Sequence, residues 1–249
     1  MIPVSREGYK FRSDICLPCY QTDRNGVLKV TGFMDLAQEI AYWAAEELGF
    51  GYTTLHVHHI AWVLSRMHIS FGEPARWRDN VKLYTWHKGA NGLFYLRDFD
   101  LQDTSGNHLV TATSSWVVMN EETRRLVRPE ELSGLLAMDG PVDDAIPEPA
   151  PKLVLPKEVE PEPAGEHIVS YSDIDILGHT NNVRYMVWAM DHIPAEDAMK
   201  PVGDVWINFN KETTLGETVS LYRLRAGSSW YVEGRCEGKS CFVARIDFR

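Results

Sequence analysis

The residues best suited to chemistry lie in one stretch, 173–191. In it, Asp175 precedes His179 by four residues, across a turn that contains a glycine. Thr-Asn-Asn at 180–182 is typical of a cap that opens a helix. An acid and an imidazole at a helix start suit general acid/base catalysis, because the N–H groups of the first helical turn can stabilise a developing oxyanion. The alternative is a helix cap with an incidental histidine, since the Asp-x3-His pattern is short.

The chain also repeats itself. Segments 69–84 and 207–222 agree at six positions under one offset of 138 residues. The agreeing pairs are Ile69 and Ile207, Phe71 and Phe209, Asp79 and Glu217, Val81 and Val219, Leu83 and Leu221, and Tyr84 and Tyr222. A second offset, of 152 residues, aligns 23–34 with 175–186. Agreement in register within strand-like patterns of period two indicates a tandem duplication.

The duplication separates reactive positions from structural ones. Under the two offsets, Val27 stands in the first copy where His179 stands in the second, and Pro74 stands where Glu212 does. Neither Val nor Pro can transfer a proton. Asp175, His179 and Glu212 therefore form an acid/base set that only the second copy has, which favours one active site over two. A surface ion pair is the alternative role for Glu212.

Composition limits the class of protein. A chain of 249 residues with 44% hydrophobic content can form one large domain or two small domains. A net charge of −10 argues against a nucleic-acid binder, which needs a basic face. The sequence has no run of about 18 apolar residues, so no membrane span is predicted. The first residues lack the pattern of a signal or transit peptide, so we expect a cytoplasmic protein.

The four cysteines are Cys16, Cys19, Cys236 and Cys241, and their spacing superficially resembles that of a zinc site. Cys16 and Cys19 lie in a stretch that is predicted to be a strand, where positions three apart face opposite ways. We therefore expect reduced thiols and no metal site.

The first half combines one long helix with several strands. The helix is predicted from about residue 32 to residue 48, with Thr31 as the N-cap and Gly49 as the stop signal. Its apolar residues cover much of its circumference, so it should be buried. Extended stretches are predicted at 9–20, 60–71, 81–87, 93–101 and 109–119.

The second half repeats this scheme in shorter form. A proline-rich stretch precedes it, because seven of the thirteen prolines lie between residues 140 and 165. A short helix follows Asn181, and strands are predicted near residues 168, 205, 219, 231 and 242. The expected fold is α+β, a tandem (double) hotdog in which each half is an antiparallel sheet wrapped around a central helix. The predicted domains are 1–139 (N-terminal hotdog), 140–165 (linker) and 166–249 (C-terminal hotdog).

Five stretches, in order along nearly the whole chain, carry a family resemblance. They are 62–67, 91–98, 114–126, 173–188 and 211–212. In order and spacing they resemble the plant and bacterial acyl-[acyl-carrier-protein] thioesterases, which release fatty acids from carrier protein. The resemblance implies a tandem hotdog fold and thioester hydrolysis without a cofactor.

The resemblance also implies roles for the acid/base set. The catalytic Asp, His and Glu of the family fall on Asp175, His179 and Glu212. Glu212 and Asp175 would hold and deprotonate a water, and His179 would relay protons to the leaving thiol. Backbone N–H groups near 180–182 would stabilise the oxyanion. The sequence leaves open which carboxylate takes the proton.

Two positions depart from the family pattern. Leu177 stands where the family commonly has Asn, so the role of that Asn is absent or falls to Asn181 or Asn182. Thr213 stands where a nucleophilic cysteine was once proposed. We expect Thr213 and Glu212 to be neighbours on a strand, so that their side chains face opposite ways and water is the nucleophile.

The resemblance places the acyl tunnel in the first half. Met34, Ala37 and Ala41 lie on one stripe of the long helix, where small side chains leave room for a chain. Trp62, in the first of the five stretches, is a fourth candidate for substrate binding. Plain core packing is the alternative for the three helix residues, because a hotdog helix is buried in any case.

The implied partner is the acyl carrier protein, which is acidic like this chain, so docking needs a local basic patch. Arg124, Arg125 and Arg184 are the main candidates. The sequence leaves a homodimer open as the assembly. An acyl-CoA thioesterase, a hotdog dehydratase and a non-catalytic acyl-binding regulator are the competing functions.

Overall fold

The computed structural model describes residues 4–132 and 142–249. The chain divides into two compact units. The first unit comprises Met1–Ser65 and Ile69–Ala150, and the second unit comprises Arg66–His68 and Pro151–Arg249.

The first unit is an antiparallel sheet with one long helix. Its strands run in the spatial order β1-β2-β4-β5-β6-β3, and β7 pairs with β6. Short 3-10 helices occur at Cys19–Gln21 and Pro129–Leu132. The elements are β1 (Val4–Glu7), β2 (Lys10–Cys16), α1 (Val30–Glu47), α2 (Tyr52–Val57), β3 (Ile60–Phe71), β4 (Asn80–Asn91), β5 (Phe94–Gln102), β6 (His108–Asn120) and β7 (Leu126–Val127).

The second unit is a smaller antiparallel sheet with a shorter central helix. Its strands run in the order β9-β12-β11-β10-β8. A 3-10 helix occurs at Tyr171–Asp173. The elements are β8 (Glu162–Ile168), α3 (Asn182–Asp191), α4 (Ala195–Ala198), β9 (Val202–Phe209), β10 (Thr218–Ala226), β11 (Ser229–Cys236) and β12 (Lys239–Phe248).

The two units share one topology. Apart from the edge strand β1, the first unit has the order β2-β4-β5-β6-β3, and the second has the order β8-β10-β11-β12-β9. If the five strands of each unit are numbered along the chain, their spatial order is 1-3-4-5-2 in both units. The central helix of each unit lies between strands 1 and 2 in the chain. The tandem duplication is therefore confirmed at the level of strand order, and every strand predicted from the repeat is present.

Helix α1 forms because apolar residues recur at helical spacing around most of it. Phe33, Ile40 and Ala44 are fully buried, and the helix packs against β2 and β4. Its end agrees with the prediction, since Gly49 follows the helix with a positive φ of 78°. The N-cap is Lys29, however, so Thr31 lies inside the helix.

A contact from outside the helix explains this earlier start. The Lys29 N–H donates to the Gln21 carbonyl over 3.0 Å, which keeps Lys29 extended. Gly32 packs against the same carbonyl so closely that an added Cβ would lie 2.4 Å from the oxygen. The helix start is therefore set by packing on Gln21, and the prediction of Thr31 as the cap was wrong.

Helix α3 has the cap that the sequence predicts. The Asn181 side chain accepts a hydrogen bond from the Val183 N–H over 2.9 Å. On its buried face, Tyr185 and Trp188 pack against Phe242 of β12, with ring centroids 5.3 and 6.5 Å apart respectively. These contacts fix the helix on the sheet that carries the catalytic candidates.

The proline-rich stretch differs from a free linker. Strand β8 begins at Glu162, so the last residues of the predicted 140–165 linker belong to the sheet. Further upstream, the Trp86 indole donates to the Asp143 carbonyl over 2.7 Å, within the first unit. In the second unit, the Leu153 N–H donates to the Asn208 side chain over 2.6 Å. Hydrogen bonds therefore attach the two parts of the stretch to their own units.

The cysteines do not lie as predicted. Strand β2 ends at Cys16, and Cys19 begins a 3-10 helix, so the strand argument against zinc was wrong. All four are free thiols, of which Cys236 and Cys241 are buried. Within residues 4–132 and 142–249, no group of three or more His, Cys, Asp or Glu could hold a metal ion.

None of the helices in the described part of the chain is long and apolar enough to cross a membrane.

Candidate active site

A tight turn presents His179. The Asp175 N–H donates to the His179 carbonyl over 2.9 Å, and the Gly178 N–H donates to the Asp175 carbonyl over 3.0 Å. The Asp175 carboxylate accepts from the Leu177 N–H over 2.9 Å. Gly178 has a φ of 79°, which a residue with a Cβ adopts only with strain. Asp175 therefore shapes the turn that carries His179.

The first unit contains the same turn without the imidazole. The Asp23 N–H donates to the Val27 carbonyl over 2.7 Å, and the Gly26 N–H donates to the Asp23 carbonyl over 3.0 Å. The Asp23 carboxylate accepts from the Asn25 N–H over 2.8 Å. The turn and its aspartate thus belong to the fold of both copies, and the histidine is what the second copy adds.

Glu212 lies in the loop between β9 and β10, and this loop brings it to the turn. The His179 Nε2 and Glu212 Oε2 atoms are 3.6 Å apart, with side-chain exposures of 34% and 29%. The loop is held from the other side by Cys241, whose carbonyl accepts from the Asn210 and Lys211 N–H groups over 2.7 and 3.1 Å. An acid and an imidazole therefore meet at a solvent-accessible place, as general acid/base catalysis requires.

Thr213 follows Glu212 in this loop and is not on a strand, so the prediction that placed both on one strand was wrong. Its side chain is completely buried. The Thr213 hydroxyl lies 2.7 Å from that of Thr180 and 2.9 Å from that of Tyr185. Buried and engaged in this way, the hydroxyl cannot reach a thioester, and water is left as the expected nucleophile.

The start of α3 offers fewer oxyanion donors than the sequence suggests. The Thr180 N–H donates to the Thr213 carbonyl over 2.9 Å, and the Asn181 N–H donates to the Asp173 carbonyl over 2.8 Å. Both are therefore unavailable to an oxyanion, and Asn182, the first residue of α3, keeps its place as the candidate donor. Leu177 is exposed and can only make apolar contacts there.

A second acid and imidazole pair, which was not predicted from the sequence, lies in the same unit. The buried Asp173 carboxylate lies 2.8 Å from His167 Nε2 and accepts from the Ser170 N–H over 2.8 Å. Burial opposes ionisation, but these two bonds and the nearby positive charge of Arg184 together outweigh it and lower the pKa of Asp173. The Ser-x-x-Asp spacing from 170 to 173 is the signal that could have revealed it, since it is typical of a capping box.

The docking candidates lie in different environments. Arg124 and Arg125 are exposed in the turn between β6 and β7 of the first unit. Arg184 belongs to α3 in the second unit, where its Nε is 4.0 Å from the Asp173 carboxylate. Arg184 therefore faces an acid of its own unit, while Arg124 and Arg125 remain docking candidates because they are exposed.

Three of the four acyl-tunnel candidates lie in the interior of the first unit, and the fourth, Trp62, is partly buried there. Met34, Ala37 and Ala41 are all buried on α1. The Trp62 indole donates to the Phe50 carbonyl over 2.9 Å, and its ring stands 5.0 Å from that of Tyr95. This burial is compatible with a tunnel lining and equally with plain core packing.

Two solved structures share the fold over nearly the whole chain. The acyl-ACP thioesterase from Bacteroides thetaiotaomicron matches with a TM-score of 0.82 at 24% identity, over 98% of this chain and 100% of that one. The 12:0-ACP thioesterase from Umbellularia californica matches with a TM-score of 0.84 at 23% identity, over 98% and 99%. The tandem hotdog prediction is thereby confirmed.

Plant proteins are also similar to this chain in sequence. Oleoyl-acyl carrier protein thioesterase 2 of Arabidopsis thaliana is 30% identical over 214 residues, which cover 78% of this chain and 56% of the plant protein. Dodecanoyl-[acyl-carrier-protein] hydrolase of Cinnamomum camphora is 27% identical over 240 residues, which cover 89% and 61%. The chain thus spans little more than half the length of these relatives.

Family sequence models match both units. The model of the acyl-ACP thioesterase N-terminal domain covers residues 8–133, and that of the C-terminal domain covers residues 157–240. Together they account for most of the 249 residues. The chain belongs to the acyl-ACP thioesterase family.

Proposed function

We propose that the protein hydrolyses the thioester of fatty acyl-[acyl carrier protein] and releases the free fatty acid. The observation that carries this proposal is the 3.6 Å approach of His179 to Glu212, in the only copy that has both groups. The family membership supports the choice of thioester chemistry. No cofactor is part of the proposal.

The mechanism is attack by an activated water. Glu212 and His179 hold a water between them, and the carboxylate takes its proton as the oxygen attacks the thioester carbonyl carbon. The Asn182 N–H is the proposed donor to the oxyanion, at the positive end of α3. When the carbon–sulfur bond breaks, His179 relays the proton that Glu212 took from the water to the departing thiolate of the carrier, which returns both side chains to their starting states.

Asp175 has a supporting part in this scheme. Its carboxylate already accepts from the Leu177 N–H, as that of Asp23 does from Asn25 in the other copy. We therefore favour Glu212 as the general base and assign Asp175 to orienting the turn and the water.

The acyl chain would lie in the first unit. The proposed lining is the stripe of Met34, Ala37 and Ala41 on α1, together with Trp62, which is partly buried against the core of the same unit. The names of the relatives specify oleoyl and dodecanoyl chains, so the family accommodates different lengths.

The carrier protein is the proposed partner, and Arg124 and Arg125 are its proposed docking residues, with Arg184 in a lesser role. With a net charge of −10, the chain repels an acidic carrier unless local positive charge guides the approach. A homodimer and a cytoplasmic location stay predictions.

Release of free thiol from matched acyl-carrier protein and acyl-CoA substrates tests the proposal. We expect the carrier-protein substrate to give the higher kcat/KM with the wild-type chain. We expect Glu212→Gln to abolish most turnover on both, since they share the thioester chemistry.

The contrary outcomes separate the competing functions. A higher kcat/KM on acyl-CoA would make the protein an acyl-CoA thioesterase. Tight acyl binding with no thiol release would favour the non-catalytic regulator, and conversion of a 3-hydroxyacyl substrate without thiol release would favour a dehydratase.

A further inference from the structure

Three buried hydroxyl groups lie directly behind the proposed catalytic pair. They belong to Thr180, Tyr185 and Thr213, which we call the hydroxyl trio. The Thr213 hydroxyl is 2.7 Å from that of Thr180 and 2.9 Å from that of Tyr185. The Thr213 N–H also donates to the Tyr185 hydroxyl over 3.0 Å. All three residues are at most 5% exposed.

The first unit has the same backbone arrangement without the hydroxyls. Under the offset of 152 residues, Leu28 corresponds to Thr180, and under the offset of 138, Ala75 corresponds to Thr213. The Leu28 N–H donates to the Ala75 carbonyl over 2.9 Å, and the Thr180 N–H donates to the Thr213 carbonyl over the same distance. The turn and the loop therefore join in both copies through one main-chain hydrogen bond.

Tyr185, the third member of the hydroxyl trio, also has an apolar counterpart in the first unit. Tyr185 corresponds to Phe33 under the offset of 152, and both rings are buried on the central helix of their unit. The two rings differ by one hydroxyl. The fold of a hotdog unit thus accepts Leu, Phe and Ala at these positions, and packing alone does not require the hydroxyl trio.

Burying hydroxyl groups where apolar side chains suffice needs another explanation. A buried hydroxyl is tolerated only when it is hydrogen-bonded, and its bonds then restrict the groups that carry it. Burial also raises the pKa of Tyr185, so its phenol stays neutral and keeps its proton for hydrogen bonding. The polar set occurs only in the copy that has the proposed acid/base pair.

The trio connects the elements that carry that pair. Thr180 directly follows His179, and Thr213 directly follows Glu212. The bond between the two threonine hydroxyls adds a side-chain link to the main-chain bond between turn and loop. Tyr185 extends the link to α3, whose first residue is the candidate oxyanion donor.

We propose that Thr180, Tyr185 and Thr213 are positioning residues that hold His179 and Glu212 at their reacting separation. The inference rests on the proposed function. None of the three is placed to touch the substrate, because all are buried behind the pair. Small errors in the placement of reacting groups lower the chemical step steeply, so the effect should fall on kcat.

Three variants test the inference, and two of them reproduce or approach the first copy. Tyr185→Phe installs the counterpart residue, Thr213→Val removes a hydroxyl at nearly constant volume, and Thr213→Ser keeps it. Thr113→Val is the matched control, since Thr113 is a buried threonine of the first unit. Each protein is assayed for kcat and KM, with the folded fraction measured by circular dichroism.

We expect Tyr185→Phe and Thr213→Val to lower kcat by roughly 10- to 100-fold while KM stays within about twofold. Thr213→Ser should recover most of the kcat that Thr213→Val loses, and Thr113→Val should keep the wild-type kcat. A purely structural role would instead lower the folded fraction. In that case kcat per folded molecule would not depend on whether residue 213 carries a hydroxyl group.

The inference and the proposed function fail differently. If Glu212→Gln is inactive but Tyr185→Phe and Thr213→Val keep kcat within about twofold, the trio has no positioning role. The same follows if serine at 213 performs no better than valine. If the wild-type chain does not hydrolyse the thioester, or if Glu212→Gln keeps its turnover, the proposed site itself is wrong and the inference falls with it.

Discussion

In the second unit, Nε2 of His179 lies 3.6 Å from Oε2 of Glu212. The corresponding places in the first unit hold Val27 and Pro74. Because the surrounding turn is built by the same hydrogen bonds in both units, the pair is an addition to a shared scaffold. This relationship makes the site testable, since its residues can be changed without removing an element on which the fold depends.

The first prediction concerns the acid/base set. Glu212→Gln and His179→Ala should each lower kcat by about 10²–10⁴, the usual contribution of a positioned acid or base. Asp175→Asn should cause a loss of kcat near the lower end of this range or smaller, because the Asp175 carboxylate is assigned to shaping the turn. Steady-state thiol release measures the loss, and rapid quench should show no burst. Near-wild-type turnover of Glu212→Gln, or an acyl ester on Thr213 by mass spectrometry, would contradict the water mechanism.

The second prediction concerns the carrier protein. Reversing Arg124 and Arg125 to Glu should lower kcat/KM on acyl-carrier protein several-fold, with a smaller effect at high salt, because the approach is guided by charge. Turnover of a small thioester should change little. The control is Lys152→Glu with Lys157→Glu, two exposed lysines whose reversal changes the net charge equally. Equal losses for both double variants would argue against docking at Arg124 and Arg125.

The third prediction concerns the acyl chain. Ala41→Phe should shift the preference towards shorter acyl groups, because the larger ring would occupy space beside α1. A ladder of acyl-carrier substrates measures the profile, and thermal unfolding measures any overpacking, which typically costs about 1–3 kcal/mol. Gln38→Phe, on the exposed side of the same helix, is the control. A folded Ala41→Phe with an unchanged profile would remove this stripe from the tunnel.

The fourth prediction concerns the thiols. Burial raises the pKa of Cys236, and it raises the pKa of Cys241 to about 11. Both therefore stay protonated at pH 8 and react slowly, because the thiolate is the nucleophile. Mass spectrometry after brief alkylation should find label on the exposed Cys16 and Cys19, with hydrolysis retained. Rapid labelling of Cys241 in the folded protein would contradict this account.

The fifth prediction concerns the pH dependence of stability. The pKa of folded Asp173 is lowered, so its stabilisation is complete above the unfolded value of about 4 and is lost as the pH falls through the folded value. Asp173→Asn should lower the free energy of unfolding at pH 7 by about 1.5–3 kcal/mol, the usual contribution of hydrogen bonds to a charged group.

Urea unfolding at pH 7 and at pH 3 measures this difference. The loss caused by Asp173→Asn should shrink at the lower pH, whereas Glu158→Gln, at an exposed position, should have little effect at either. A loss that does not depend on pH would show that the carboxylate charge contributes nothing.

The sequence by itself determined the duplication and the strands, and it supplied the acid/base set as a prediction. Strand β3 has the predicted bounds, Ile60–Phe71, because a period-two pattern of apolar residues is a local property of the chain. The Asp175–His179 turn and the Asn181 cap were also predictable, because their hydrogen bonds join residues a few positions apart.

Only the tertiary structure decided which groups meet across the fold. Gln21 sets the start of α1, His167 pairs with Asp173, and Thr213 is buried against Tyr185. Main-chain hydrogen bonds to the Thr213 and Asp173 carbonyls decide which N–H groups at the start of α3 are already donated. Each depends on the packing of segments that are distant in the chain or joined by a loop, and no periodic pattern records such an approach. The residue types of the site can therefore be identified from short stretches of sequence. Their separations and their hydrogen-bond partners are determined by the packing of the sheet and helix.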